Sequence, residues 1–248
     1  QLRDEWMAAE IREVIQKARI SNIKLTVVSP LAAFCLQGRA DVVRANRATQ
    51  REVNRTGKLM QWVVVTPTQP NTYVQASELL GSRKCAGIKI HPEEHKYSIV
   101  ERGWELFSFA AKYKAIVLTH SGEQNSMPED MVKFANDFPE ITLILGHLGC
   151  GWDGDPSHQV RAIHQSKHGN VFIDTSSATS ILPGLIEWGV REVGAEKILF
   201  GTDSPLYFTP SQRARIDNAE ISDDDKRFIL FENAEKILGI KCFNPNSA

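Results

Sequence analysis

Residues 143–149 read LILGHLG, an apolar run that delivers a histidine, His147, at its end. Three other stretches share the form: GIKIHP at 87–92 ends on His91, VLTHSG at 117–122 on His120, and ILFGTDSP at 198–205 on Asp203. Strands buried on both faces read as such runs, and a parallel α/β sheet or barrel presents its chemically able residues at the carboxyl ends of its strands. The pattern predicts an enzyme, and one that holds a metal.

Working outward from these runs, helical and strand-like segments alternate with short loops. Leu2, Trp6, Met7, Ile11, Val14, Ile15 and Ala18 recur at helical spacing, and IKLTVV at 23–28 reads as a β-branched strand. A polar helix over 40–56 precedes the strand WVVVTP at 62–67. Then come strand 86–91, helix 99–113, strand 115–120, helix 128–137, strand 142–147, helix 158–168, strand 171–176, helix 181–193 and strand 197–203. Ser126 ahead of Met127 and Pro128 marks one helix start. Ser222 with Asp225 forms the capping pair of the last helix, and Gly239 ends it. The alternation gives seven β-α units with no linker between them, so residues 1–248 read as a single β/α barrel domain. That is one unit short of the eight that close a TIM-type barrel, and the strand expected before the first helix is missing.

Composition limits the function classes. The chain has 248 residues, is 42% hydrophobic and carries a net charge of -1 with scattered Lys and Arg, so neither nucleic acid nor an anionic membrane is an expected partner. No apolar run is long enough to span a bilayer. Cys35, Cys85, Cys150 and Cys242 form no C-x-x-C pair, which argues against a zinc ribbon or a disulfide framework and for a reducing, cytoplasmic setting. A small-molecule substrate is expected, with a homo-oligomer allowed.

The segments GIKIHP, VLTHSG, LILGHLG, NVFIDTSS at 170–177 and ILFGTDSP together resemble consecutive strand ends of the amidohydrolase superfamily, in particular the amidohydrolase-related group of metal-dependent hydrolases and aromatic acid decarboxylases. The resemblance runs from about residue 23 to the final helix. It implies a (β/α)8-like barrel and a divalent metal, most often zinc, held by an H-x-H pair on the first strand, a histidine on the fifth and an aspartate on the eighth. His120 and Asp203 fall on the last two positions, and His147 on the sixth-strand histidine that acts on a second metal or on substrate. The first-strand H-x-H is absent from this sequence.

Alternation along a strand places His120 on the face of Leu118 and Ile116, His147 on that of Leu145 and Leu143, and Asp203 on that of Gly201 and Leu199. All three can thus point into one mouth, and the resemblance makes His120 and Asp203 the metal candidates and Asp203 and His147 the catalytic ones: Asp203 passes a proton, and His147 polarises a carbonyl or steadies an oxyanion. His91, Trp152 and Tyr207 are the substrate-binding candidates. Lys89 shares the face of His91; a carboxylated fourth-strand lysine bridges two metals in some relatives, and pairing within the barrel is the simpler role. Asp174 and Ser176 alternate with Thr175, and the inward set is open. Arg161, Arg213 and Arg215 are available for a carboxylate, with nothing to choose among them.

Two motifs are read as decoys. His91 to His95 matches H-x-x-E-H, but that metalloprotease pattern needs both histidines on one helix face, and here the first ends a strand. His164 and His168 lie four apart on a polar helix and read as solvated surface. The expected activity is hydrolysis of a small-molecule amide, lactone or ester-like bond. The alternatives are decarboxylation of a small aromatic or unsaturated acid and a non-catalytic barrel that has lost its first-strand ligands. A TatD-like nuclease is disfavoured because Gly201 stands where that family carries Glu and the basic surface is missing.

Overall fold

The computed structural model describes residues 2–34, 39–176 and 181–241, with side chains from residue 11 onward. Cys35 and Cys242, Ser177, and the side chains of Leu2, Trp6 and Met7 lie outside the described residues.

Seven parallel strands form one sheet in chain order. They are β1 (Thr26–Val28), β2 (Leu59–Val64), β3 (Cys85–Ile90), β4 (Ile116–Thr119), β5 (Thr142–Leu145), β6 (Val171–Asp174) and β7 (Ile198–Leu199). Each strand pairs with the next, and β1 and β7 are the two edges of a barrel-like sheet that does not close among the described residues. A missing first strand leaves such a gap.

Helices follow the strands, most of them on the outer face of the sheet. They are α1 (Leu2–Ile20), α2 (Val42–Arg55), α3 (Asn71–Leu79), α4 (Pro92–His95), α5 (Ile99–Lys112), α6 (Pro128–Asp137), α7 (His158–Gln165), α8 (Leu185–Val193), α9 (Thr209–Asp217), α10 (Asp223–Arg227) and α11 (Asn233–Leu238). The periodic stripe of α1 packs as its spacing predicts: Val14 is buried beside Val28, Val53 and Leu59, with Ile11 and Ile15 against them. Helices α3 and α9 have no counterpart in the sequence reading, because neither has an apolar stripe that outweighs its polar residues.

Two apolar layers define inside and outside. Ile88, Ile90, Val117, Leu143, Leu145, Val171, Ile173 and Ile198 pack outward against Leu106, Phe107, Met131, Val132 and Ile163 of the helices. Met60, Trp62, Ala86, Ile144 and Leu199 face inward with Leu118 and Phe172, and Ala234, Ile237 and Leu238 of α11 pack against them. Gly87 is required between β3 and β4, since a Cβ there would stand 2.2 Å from the Ile116 carbonyl oxygen.

Several boundaries differ from those read in the sequence. The helix expected from 181 starts at Leu185, because Pro183 and a left-handed Gly184 precede it. The helix expected to reach 168 ends at Gln165, where Asn136 takes over the Gln165 carbonyl and the Lys167 amide. Met127, not Ser126, occupies the N-cap of α6; the Ser126 side chain is buried and its hydroxyl has no partner. The Ser222–Asp225 capping box and the left-handed Gly239 stand where the sequence places them, although a π-helical stretch, Phe228–Glu232, joins α10 to α11. Among the described residues no helix is long and apolar enough to cross a membrane.

Candidate active site

The carboxyl ends of β3 to β7 open into a cavity of 1440 Å³ whose walls include Lys89, His91, His120, His147, Asp174 and Asp203. Strand alternation explains most of these directions. Lys89 and His91 continue the inward face of β3, His120 follows Ile116 and Leu118, and Asp174 and Ser176 follow Phe172. The question left open at β6 is thereby answered: Asp174 and Ser176 point in and Thr175 does not.

His147 requires a correction. Leu143 and Leu145, the residues whose face it was assigned by alternation, pack outward against the helices. His147 reaches the cavity because its φ is +75°, a left-handed value that reverses the side chain just past the strand. Asp203 has a φ of +50° at the corresponding place after β7. Non-glycine residues adopt this conformation at a cost, and such strain gathers at functional sites.

The ring of His120 joins the groups together. His91 stacks on it with centroids 4.2 Å apart and planes 7° from parallel. Its Nε2 lies 2.9 Å from Oε1 of Glu123, and its Nδ1 lies 3.0 Å from Nε2 of His147. Beyond His147, Nδ1 lies 2.8 Å from Oγ of Ser176, and that hydroxyl contacts Oδ1 of Asp174. Glu123 was not anticipated; its only signal is the i, i+3 spacing from His120 in a turn. Glu93 fixes that turn from α4, its carboxylate accepting the Asn125 backbone N–H at 2.7 Å and the Asn125 side-chain amide at 2.8 Å. Gly122 has a φ of +97°, and a Cβ on it would meet the Cys150 carbonyl at 2.1 Å. The loops after β4 and β5 are in close contact there.

The electrostatics follow from burial. The His147 imidazolium is disfavoured by desolvation and by His120, so its pKa falls well below the usual value and the ring is neutral at pH 7. His91 is depressed in the same direction, first by burial and then by His120 and Lys89. Desolvation raises the pKa of Asp203 despite the attraction of Lys89. Burial lowers Lys89, against the pull of Asp203 and Asp174. The hydrogen bond from His120 lowers the Glu123 carboxyl.

The remaining sequence candidates divide. Tyr207 lines the cavity, and so does Arg213, whose guanidinium is held by Asp217 at 2.9 Å. Trp152 is exposed and is not part of the cavity wall, although its backbone N–H donates to the Gly122 carbonyl at 2.7 Å. Arg161 is engaged by Glu129 and Asp155, and Arg215 by the Thr175 carbonyl. The H-x-x-E-H match is structural. His91 caps α4, its Nδ1 accepting the Glu94 N–H at 3.4 Å, while His95 is buried with Nε2 3.0 Å from the Ala33 carbonyl. His168 lies past the end of α7 and contacts the Asn136 carbonyl, so it makes no helical pair with His164.

Imidazole and carboxylate at His120 and Asp203 are donors of the right kind for a divalent ion. Among the described residues, however, no group of three or more His, Cys, Asp or Glu side chains is arranged to hold one.

The amidohydrolase family profile matches residues 24–240. No curated protein matches the sequence. Among solved structures, 5-carboxyvanillate decarboxylase from Sphingomonas paucimobilis is similar with a TM-score of 0.73 at 13% identity, over 92% of this chain and 83% of that one. The 2,6-dihydroxybenzoate decarboxylase from Rhizobium gives 0.69 at 14% identity, over 91% and 87%. A dihydroxybenzoic acid decarboxylase from Polaromonas sp. JS666, with bound manganese and the inhibitor 2-nitroresorcinol, gives 0.70 at 15% identity, over 92% and 85%. At these identities the likeness is one of fold.

Proposed function

Because the chain belongs to the amidohydrolase family, we propose that it is a metal-dependent lyase that removes carbon dioxide from a small aromatic or unsaturated carboxylic acid. The observation that carries this reading is Asp203, a half-buried carboxyl with raised pKa, sharing an apolar-walled mouth with the Lys89 ammonium. Lys89 receives the substrate carboxylate, and Trp62, Leu118, Ile144 and Leu199 line the space for an unsaturated ring. Walls of this kind disfavour the charged carboxylate more than neutral carbon dioxide. As the carbon–carbon bond breaks, its electron pair stays on the ring carbon, which takes the proton of Asp203. Neutral His147 presents an unprotonated nitrogen that accepts a proton from a ring hydroxyl.

The cofactor is a divalent cation, to which this chain contributes His120 and Asp203; when bound, such an ion polarises an oxygen substituent of the substrate. The donors suit zinc and manganese alike, and a structure of similar fold contains manganese. The names of the three similar structures support decarboxylation over hydrolysis, which the sequence alone ranks first. Hydrolysis would use the same two groups, His147 taking a proton from water and Asp203 protonating the leaving group.

The deciding experiment incubates the protein with manganese or zinc and a panel of hydroxybenzoates, unsaturated acids and lactones, measuring carbon dioxide release and ring opening separately. Carbon dioxide release that D203N reduces by at least about 10²-fold is expected. Ring opening without carbon dioxide would make the protein a hydrolase. Neither product with either metal would favour the non-catalytic barrel.

A further inference from the structure

Asp174 and Ser176 end a chain of contacts that reaches His147 and, through it, His120. Oδ1 of Asp174 accepts the backbone N–H of His147 at 3.0 Å and that of Ser176 at 2.9 Å. The Asp174 backbone carbonyl accepts the N–H of Leu148 at 2.8 Å. One aspartate thus holds both sides of the left-handed turn that brings His147 inward.

Counting hydrogens along the chain extends the argument. An oxygen already accepting two N–H groups meets the Ser176 hydroxyl as an acceptor as well, so serine donates to Asp174. Serine has one hydroxyl hydrogen. Its oxygen therefore accepts from Nδ1 of His147, 2.8 Å away, and that nitrogen carries the ring's hydrogen. The other nitrogen of His147, Nε2, lies 3.0 Å from Nδ1 of His120. The remaining nitrogen of His120, Nε2, is the one directed to Glu123.

We propose that Asp174 and Ser176 are positioning residues that hold His147 in one orientation, with Nδ1 protonated toward Ser176 and Nε2 turned to His120. A histidine whose second nitrogen is tied to a neighbour is locked in tautomer and orientation, and removal of such a partner commonly costs 10- to 100-fold in affinity or activity. Here the locking group lies two residues removed from the ring it governs. The inference does not depend on whether the reaction is decarboxylation or hydrolysis.

The test is the ¹⁵N NMR spectrum of histidine-labelled protein at pH 7.5, with His147 assigned by comparison with H147Q. The wild-type ring is expected to carry a hydrogen on Nδ1. S176A is expected to mix or reverse the tautomers without loss of the folded state by thermal melting, and S176T to restore the wild-type pattern. Wild-type His147 with an unprotonated Nδ1 overturns the proposal without reference to any variant. So does S176A with the wild-type tautomer, including the case in which only its melting temperature falls, since that result assigns Ser176 a purely structural role.

Discussion

Lys89 stands 8% exposed on the inward face of β3, with Asp203 and Asp174 as the carboxyls that stabilise its charge. Desolvating an ammonium is costly, and a side chain kept this way in a cavity wall has either a structural counter-charge role or a ligand to meet. Lys89→Met separates the two, because it keeps most of the stem and removes the charge. Binding of 2,6-dihydroxybenzoate is expected to weaken about 10- to 100-fold, the worth of one charged hydrogen bond, while binding of resorcinol, which lacks the carboxylate, stays the same. Quenching of Trp62, which lines the cavity, reports both. Equal losses for the two ligands would leave Lys89 a structural counter-charge only. The same variant removes the attraction that holds Asp203 down, so the alkaline limb of a pH–rate profile governed by Asp203 as proton donor moves to higher pH. At this scale the sequence shows which residue types end the strands, but not how they are turned. Alternation suffices for His120 because its strand is regular up to Thr119, whereas His147 follows a glycine and takes a left-handed φ that no face-counting rule contains. Glu123 meets His120 within one turn, and Asp174 and Ser176 reach His147 from the neighbouring strand, contacts without a period in the chain.

The loop after β5 connects the site to the outer helices. Residues 150–157 leave the mouth past Gly122 and are tied at their far end by a cluster on α6 and α7. His158 lies 2.9 Å from Glu129 and 3.0 Å from Asp153, and Arg161 contacts Glu129 at 2.8 Å and Asp155 at 2.7 Å. Glu129 is the common acceptor, placed in the first turn of α6, where a carboxylate is also favoured by the helix dipole. Glu129→Ala leaves Arg161 and His158 each without one partner and is expected to cost about 1–3 kcal/mol. Hydrogen exchange should quicken in residues 150–157 and the first turn of α7, with β4 and β5 unchanged. Protection lost evenly over the whole chain would show instead that the cluster supports the fold rather than the loop. None of this cluster was legible beforehand, since Arg161 looked like one spare cation among several. The strands were legible because each is a continuous apolar run between turn signals, and α6 because Pro128 and two acids open it. Elements α3 and α9 were not, because their burial is set by neighbours and not by a stripe of their own.

Across the whole molecule the same burial that shapes the site makes stability depend on pH. His91, His95 and His147 all have folded-state pKa values below the ordinary one, in each case first through desolvation. A depressed group gives stability that is present above its unfolded pKa, about 6.5, and is lost as pH falls toward its folded value, because the unfolded chain takes up protons that the folded chain refuses. Three such groups give a slope of up to about 4 kcal/mol per pH unit once all three titrate in the unfolded chain. In the acid-to-neutral range His158 and the carboxyls of Asp203 and Glu94 are raised instead. Burial alone would lower His158, but Glu129 and Asp153 outweigh it and raise its pKa; its contribution is complete below about 6.5 and declines as pH rises through the folded value. Asp203 and Glu94, raised by desolvation, add stability only at acid pH, near and below their folded values, and are two carboxyls against three imidazoles. The barrel is therefore expected to be most stable near neutrality and to fail on the acid side well before its carboxylates titrate. Urea unfolding of metal-free protein at pH 8, 7, 6 and 5 measures this directly: the midpoint should change little from 8 to 7 and fall steeply from 6 to 5. A midpoint that holds or rises over that last interval would mean that the three histidines are already protonated in the folded chain, and with His147 charged, Nε2 would carry a hydrogen and could no longer accept one from a substrate hydroxyl.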